Sequence, residues 1–283
     1  MAPSTVQTRE TVVRGSQELA AAGIRAAPRE ARRLFALAAG SPLDLAGTTV
    51  PPSVGRRYRM LVAARARRVP FPLLDGETGF LDFDVVVRPG VFIPRPETEE
   101  LAERAIMVLR SLPPHPRALD LGTGTGALAV ALARARDDGQ VLAVDVSPRA
   151  LACARRNVRA HRLEARVEIR RSDWFSCVRE AFHLIVANPP YVARCEFPSL
   201  EPEVRLYEPR RALDGGVDGL DALRVILGRA PHHLLPGGTI LVEIGARQGP
   251  AALAIARRVP GLREARVERD QSGKERFLIA RCV

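Results

Sequence analysis

Two short stretches hold residue types that could do chemistry together. The first is "LIVANPPYVA", residues 184–193, in which Asn188, Pro189, Pro190 and Tyr191 follow an apolar, β-branched run. Neither proline has a backbone N–H to donate, so a sheet ladder must end there and the chain must turn away. The turn leaves backbone carbonyls without ladder partners, most usefully that of Pro189, and Asn188 adds a side-chain acceptor. Two acceptors at one corner can hold both hydrogens of a planar –NH2 group, with the Tyr191 ring against the face of that plane. Such a clamp meets a specific difficulty, because an amide or exocyclic amine nitrogen is a poor nucleophile with a delocalised lone pair. Acceptors raise its electron density and aim it, so orientation and dipoles held in place, rather than a strong base, supply the acceleration. His183, upstream at the start of the same run, reads as structural.

The second stretch is "LDLGTGTGALAVALA", residues 119–133. A strand, a glycine turn and a helix in immediate succession mark nucleotide-cofactor binding in α/β sheets, with the ligand at a helix N-terminus beyond the strand ends. Gly122, Gly124 and Gly126, with Thr123 and Thr125 between them, allow positive φ and close backbone approach. Dinucleotide loops are spaced G-x-G-x-x-G to make room for a pyrophosphate. Here the spacing is G-x-G-x-G, and Asp120 precedes it on the strand. A carboxylate so placed repels a pyrophosphate but suits an ammonium group. S-adenosylmethionine carries one, and the loop reads as its pocket. Asp145 ends the next strand, where a carboxylate can accept from both ribose hydroxyls. In "RSDWF", Trp174 is the only tryptophan. Its place after the third strand suits packing beside an adenine ring, or alternatively an interior aromatic.

These residues need a scaffold that brings strand ends together. From residue 94 onward, helical stretches alternate with apolar strands "RALDL", "QVLAVDV", "RVEIRR", "HLIVAN", "GTILVEIG", "ARVERD" and "RFLIARCV". That pattern predicts a doubly covered, mostly parallel sheet of seven strands, an α/β fold. The short "QSGK" turn joins the last two strands as a hairpin, so one strand is antiparallel. Before this region, "GFLDFDVVVRPGVFIP" alternates apolar and polar residues and predicts a β-hairpin turning at Pro89-Gly90, within residues 75–93. Residues 1–74 place alanine and leucine at helical spacing, punctuated by Gly23, Gly40 and Pro51-Pro52, and predict a small domain of four or five helices. Residues 94–283 form the catalytic domain in this division.

The composition, 46% hydrophobic over 283 residues, permits a sizeable core, and no apolar run reaches membrane-spanning length. The charged N-terminus argues against a secretory signal, and four scattered cysteines without a C-x-x-C pair read as reduced thiols in a cytoplasmic protein without a metal site. His232 and His233 are adjacent rather than at ligand spacing and read as surface residues. A net charge of +11 invites a nucleic-acid partner, but Lys274 is the only lysine, and so general an arginine bias points to a GC-rich genome. The charge is nevertheless uneven. Residues 1–74 hold twelve arginines against Glu10, Glu18, Glu30 and Asp44, which is +8 of the total. Solvated helix faces, or a docking surface for an acidic or RNA-bound partner, account for it.

Taken together, "FIPRPETEE", "LDLGTGTGALAVALA", "SDWF", "VANPPYV", "EPRRALDGGVDGLDALRVIL" and "LVEIGARQG" resemble, in order, segments of the bacterial release-factor glutamine methyltransferases, the PrmC/HemK family. The resemblance implies a class I, Rossmann-like methyltransferase that uses S-adenosylmethionine. It implies methylation of the side-chain amide nitrogen (N5) of the glutamine in the Gly-Gly-Gln motif of peptide chain release factors, which modulates translation termination. It further implies that Asn188 to Tyr191 bind that glutamine, that Gly122 to Gly126, Asp145, Trp174 and Asn188 contact the methyl donor, and that the helical domain helps seat the release factor. Two segments depart from the family pattern: "VPFPLLDG" stands where a P-L-Q-Y-like stretch is usual, and His183 where an aspartate is common. The alternatives are a glutamine methyltransferase acting on a ribosomal or other protein, an adenine-N6 DNA methyltransferase, a dehydrogenase and a non-catalytic RNA- or protein-binding module. A DNA enzyme needs a target-recognition region able to flip a base, and no residues are left to build one. The glycine spacing disfavours the dehydrogenase.

Overall fold

The computed structural model describes residues 8–40 and 50–283, so parts of the expected helical domain, residues 1–7 and 41–49, lie outside the described residues. Four helices come first: α1 (Thr8–Ala21), α2 (Ala27–Ala39), α3 (Pro52–Ala66) and α4 (Phe71–Asp75). A hairpin of β1 (Glu77–Phe80) and β2 (Phe83–Val86) follows, then α5 (Pro96–Ser111). Strands and helices next alternate through β3 (Arg117–Leu121), α6 (Ala127–Ala135), β4 (Gln140–Asp145), α7 (Pro148–Ala160), β5 (Val167–Arg171) and β6 (Phe182–Ala187). Beyond β6 come α8 (Pro202–Tyr207), α9 (Asp221–Arg229), β7 (Leu234–Glu243), α10 (Gly249–Arg258), β8 (Leu262–Arg269) and β9 (Glu275–Cys282).

The chain divides into two compact units, Met1–Gly76 with Pro202–Tyr207, and Glu77–Glu201 with Glu208–Val283. Helix α8 therefore belongs with the N-terminal helices, although it lies deep in the sequence of the second unit. In the first unit, α2 shows why these segments are helical. Ala27, Ala31, Leu34, Phe35 and Ala38 recur every three or four residues and are buried, and Gly40 ends the helix in the left-handed conformation with its N–H on Ala36 O. Leu19, Leu34, Tyr58 and Val62 fill the space between α1, α2 and α3, each leucine contributing about 2 kcal/mol by burial. Arg65 on α3 is 6% exposed. It is held there by Glu30 at 2.5 Å and Glu203 of α8 at 2.9 Å, and Arg68 also reaches Glu203, at 2.7 Å.

The second unit is built on a seven-stranded sheet in the order β5-β4-β3-β6-β7-β9-β8, parallel except for β9. The fold is that of a class I, Rossmann-like methyltransferase. Its central strands are apolar on both sides because both are covered. Ala118, Leu184, Val186 and Leu241 pack into one core with α5 and α6, while Leu119, Leu121, Ile185, Ala187 and Val242 pack into another with α9 and α10. β3 and β6 are neighbours although β4 and β5 intervene in the chain, so strand order reverses between them. The carboxyl ends at such a reversal form a crevice where ligands bind.

One sequence expectation is corrected. The hairpin turns at Leu81-Asp82, not at Pro89-Gly90. Phe80 and Phe83 are both buried and meet edge-to-face at 5.7 Å, which closes a two-residue loop with Leu81 in the left-handed region at φ 53°. Pro89-Gly90 forms a separate turn, with Val91 N–H on Arg88 O at 3.2 Å and Gly90 at φ 80°. A Pro-Gly pair suits a type II turn, whose twist does not match paired strands.

Candidate active site

The glycine loop leaves β3 at the reversal point and enters α6. Gly122, Gly124 and Gly126 all have positive φ, at 73°, 57° and 83°. The N–H groups of Gly122 and Thr123 both donate to Val144 O at 2.9 Å, which pins the loop to the end of β4. At Gly126 a Cβ would lie 3.0 Å from Ala154 Cβ and 3.1 Å from its Cα, so only glycine lets α6 and α7 approach here. A Cβ on Gly122 or Gly124 would meet nothing closer than 3.7 Å, leaving that side of the loop open to a ligand. Asn157 of α7, which is fully buried, was not singled out in the sequence. Its Nδ2 donates to Thr125 O at 2.8 Å and to Val86 O at 3.0 Å, and its Oδ1 accepts from Val86 N–H, tying loop to hairpin.

Asp120 is wholly buried beneath the loop. Its Oδ2 accepts from Thr123 Oγ1 at 2.5 Å, whereas its Oδ1 has no partner among the described residues. Burial pushes its pKa up to about 7 against the pull of the Thr123 hydroxyl, and the charge of Asp145 adds to the rise. The carboxylate thus holds the loop by one oxygen and keeps the other in want of a positive donor. Asp145 is half-buried; its Oδ2 accepts Gly124 N–H at 3.0 Å and its Oδ1 accepts Ser147 N–H at 2.8 Å. Each oxygen keeps a lone pair beyond these bonds. Burial raises its pKa, and the backbone N–H groups oppose the rise. Trp174 is half-buried at the end of β5, with its ring carbon 3.7 Å from where a Gly122 Cβ would stand. Its φ of 48° is rare for a bulky residue, and Ser172 Oγ braces it by donating to Trp174 O at 2.7 Å. Trp174 packs against the core cluster that includes Leu142 and Val144 of β4, and its ring also lies beside Gly122 of the loop.

The corner follows β6 directly. Register sets its neighbours, because Ala187 is paired with Leu121 on one side and Val242 on the other. Asn188 consequently stands beside the glycine loop and beside Glu243, the last residue of β7. Asn188 is half-buried, and its Nδ2 donates to Thr98 Oγ1 at 2.8 Å. Thr98 Oγ1 in turn donates to Glu243 Oε2 at 3.0 Å, and Tyr191 OH donates to Glu243 Oε1 at 3.2 Å. Among the described residues nothing donates to Asn188 Oδ1, Pro189 O or Pro190 O, so the acceptors expected at this corner are unoccupied by the protein itself. Glu243 is 1% exposed; burial pushes its pKa up to about 7, against the hydrogen bonds from Thr98 and Tyr191 and the charge of Arg276. Burial, with the adjacent Glu243, also raises the pKa of Tyr191.

Thr98 and Glu243 lie in "RPETEE" and "LVEIG", segments to which the sequence attached no chemistry. A glutamate closing an otherwise apolar strand in the same row as Asn188 was the available signal. "EPRRALDGGVDGLDAL" also has a structural reason. Val192 N–H donates to Leu213 O and Gly215 N–H to Val192 O, and Gln248 Nε2 donates to Tyr191 O at 3.0 Å and Gly219 O at 3.1 Å. A Cβ on Gly219 would come within 2.3 Å of Tyr191 O, so the loop can brace the corner only as glycine. Glu208, whose side chain is 1% exposed, pairs with Arg95 of the "FIPRPETEE" segment.

A family model described as "Methyltransferase small domain" matches residues 82–199. The release factor glutamine methyltransferase of Cereibacter sphaeroides is 45% identical over 269 residues, covering 93% of this chain and 94% of that protein. The chain belongs to the release factor glutamine methyltransferase family. The same-named protein of Rhodospirillum rubrum is 38% identical over 95% of this chain and 83% of its own length. The crystal structure of a methyltransferase from Pyrococcus furiosus, at 18% identity and a TM-score of 0.51, covers 80% of this chain and 97% of its own, and bears on the fold alone.

In this family member each of the two departures has a local structural setting. "VPFPLLDG" forms α4 of the helical unit, where Arg33 lies 3.9 Å over the Phe71 ring. His183 Nδ1 accepts Arg117 N–H at 3.1 Å, at the opposite end of β6 from Asn188. His233 differs from its expected surface placement: it is half-buried and stacks on Phe175 at 4.5 Å. Among the described residues no helix is long and apolar enough to cross a membrane, and no His, Cys, Asp or Glu cluster could hold a metal.

Proposed function

We propose that this protein transfers a methyl group from S-adenosylmethionine to the side-chain amide nitrogen of the glutamine in the Gly-Gly-Gln motif of peptide chain release factors, in the cytoplasm. The observation that carries it is the pair of unoccupied acceptors, Asn188 Oδ1 and Pro189 O, at the end of β6 beside an open glycine loop at the end of β3.

The residues at the loop fit the methyl donor. Gly122 and Gly124 give it an open backbone surface within the Gly122 to Gly126 loop, Asp145 retains lone pairs for ribose hydroxyls, Trp174 offers a flanking ring, and the Asp120 oxygen without a partner among the described residues favours a cationic amine. Bound there, the sulfonium supplies an electrophilic methyl group. The chain's own residues do the rest. Asn188 Oδ1 and Pro189 O each accept one hydrogen of the glutamine NH2, which raises electron density on nitrogen and fixes its direction of attack. Pro190 carries the chain out of the sheet so that Tyr191 covers the amide plane, and the Tyr191 hydroxyl is anchored on Glu243. Release of the amide proton needs no strong base nearby, since methylation itself makes the nitrogen acidic. Residues 1–74 serve as a docking domain for the release factor, consistent with their twelve arginines; residues 75–93 link it to the catalytic domain, residues 94–283.

The test is mass spectrometry of a release factor incubated with the protein and S-adenosylmethionine. A one-methyl gain localised to the Gly-Gly-Gln glutamine is expected, and Asn188→Ala should cut the rate by about 100-fold or more. Equal transfer to a ribosomal protein or to DNA would overturn the substrate assignment.

A further inference from the structure

The hydrogen bonds around Asn188 have a direction. An ionised carboxylate only accepts, so Glu243 takes the Thr98 proton on Oε2 and the Tyr191 proton on Oε1. Once the Thr98 proton is committed, its oxygen has only lone pairs to offer Asn188, which must then present Nδ2. Its Oδ1 is left to face outward. The two ends of a carboxamide are nearly the same shape, so no packing contact would enforce that choice. A protonated Glu243 removes the constraint. Its O–H can donate to Thr98, the Thr98 proton is freed for Asn188 Oδ1, and the amide can turn over to direct its own NH2 at a substrate NH2. Two donors would then face each other.

Resting on the methyl-transfer function proposed above, we infer that Glu243, acting through Thr98, is a positioning residue that decides which end of the Asn188 carboxamide meets the substrate. The relay joins residues far apart in sequence: Thr98 is 90 positions from Asn188 and 145 from Glu243. Both are buried, at 5% and 1% exposure, so the relay is shielded from competing water. The charged and titratable groups facing Glu243 are Arg276 on β9, which favours its ionised form, Glu97 on α5, which opposes it, and the Tyr191 phenol. Arg276 is itself shared with Glu97 at 3.5 Å and Asp270 at 3.4 Å, so it does not neutralise Glu243 alone. The relay is therefore balanced near neutrality and not locked in one state. Activity should fall as pH drops through the Glu243 transition, because the protonated form misdirects Asn188.

The experiment measures kcat/KM for the release factor at saturating S-adenosylmethionine, which removes titrations that act through cofactor affinity, from about pH 6 to about pH 8.5. The wild type should show an acidic limb falling about ten-fold per pH unit. Glu243→Gln should lose that limb. Thr98→Val should lose about ten-fold or more in kcat/KM at the alkaline end and flatten the profile, whereas Thr98→Ser should restore both. S-adenosylmethionine binding by calorimetry reports whether each variant is folded, and if Glu243→Gln is not, the Thr98→Val and Thr98→Ser pair decides. A wild type without an acidic limb, a limb that persists in Glu243→Gln, or a Thr98→Val enzyme with wild-type kcat/KM would overturn the inference. A wild type that binds the cofactor yet methylates no release factor would instead overturn the function on which it rests.

Discussion

Asp120 offers the sharpest thermodynamic test of the glycine loop. It is wholly buried, only one of its oxygens has a hydrogen-bond partner among the described residues, and its pKa is pushed from 3.8 up to about 7, chiefly by burial. Between those two values the folded protein keeps a proton that the unfolded chain has released, so raising the pH favours unfolding. Linkage puts the cost of this group at about 2 kcal/mol near pH 5 and about 4 kcal/mol near pH 8. Asp120→Asn keeps the shape and cannot ionise. Its new amide has an unsatisfied side of its own, but that penalty does not change with pH. The stability of Asp120→Asn relative to wild type should therefore rise by about 2–3 kcal/mol between pH 5 and pH 8, while other titrating groups cancel. Urea unfolding followed by fluorescence suits the measurement, because Trp174 is the only tryptophan and lies in the same unit as Asp120. On the proposed reading of the loop, the variant should also bind S-adenosylmethionine more weakly above about pH 7, where Asp120 carries its charge. A change under about 1 kcal/mol, or one of opposite sign, would refute the claim that this carboxylate is buried without adequate partners.

Two further outcomes are expected. Gly219→Ala should lower kcat by about ten-fold or more while leaving S-adenosylmethionine affinity within about two-fold in calorimetry, because its Cβ would meet Tyr191 O at 2.3 Å and displace the corner, not the loop. In the helical unit, Arg65→Ala leaves Glu30 and Glu203 without their shared partner in a site where Arg65 is 6% exposed. It should cost about 3–5 kcal/mol in unfolding monitored by far-UV circular dichroism.

The sequence by itself determined the parts that local chain chemistry controls. A strand followed by G-x-G-x-G and a helix, an acid ending the next strand, and prolines that must end a ladder after Asn188 all act over a few residues. Their types and spacing were sufficient to place the loop, Asp145 and the corner on strand ends. The central strands were likewise legible, because strands buried on both faces are largely apolar, whereas the edge strands β5 and β8 are charged and partly exposed. Tertiary structure alone decided what surrounds these residues. The parallel register sets Ala187 between Leu121 and Val242, and that row brings Thr98 and Glu243 to Asn188 across separations no local pattern encodes. The hairpin turn went to Leu81-Asp82 because the buried Phe80–Phe83 pair outweighed the Pro-Gly signal. Helix α8 joined the N-terminal unit because Glu203 found two arginines there, at Arg65 and Arg68. Each case has one physical cause. Hydrogen bonds and ion pairs between distant segments depend on where the chain returns in space, and a single sequence carries that only through the packing of the whole fold.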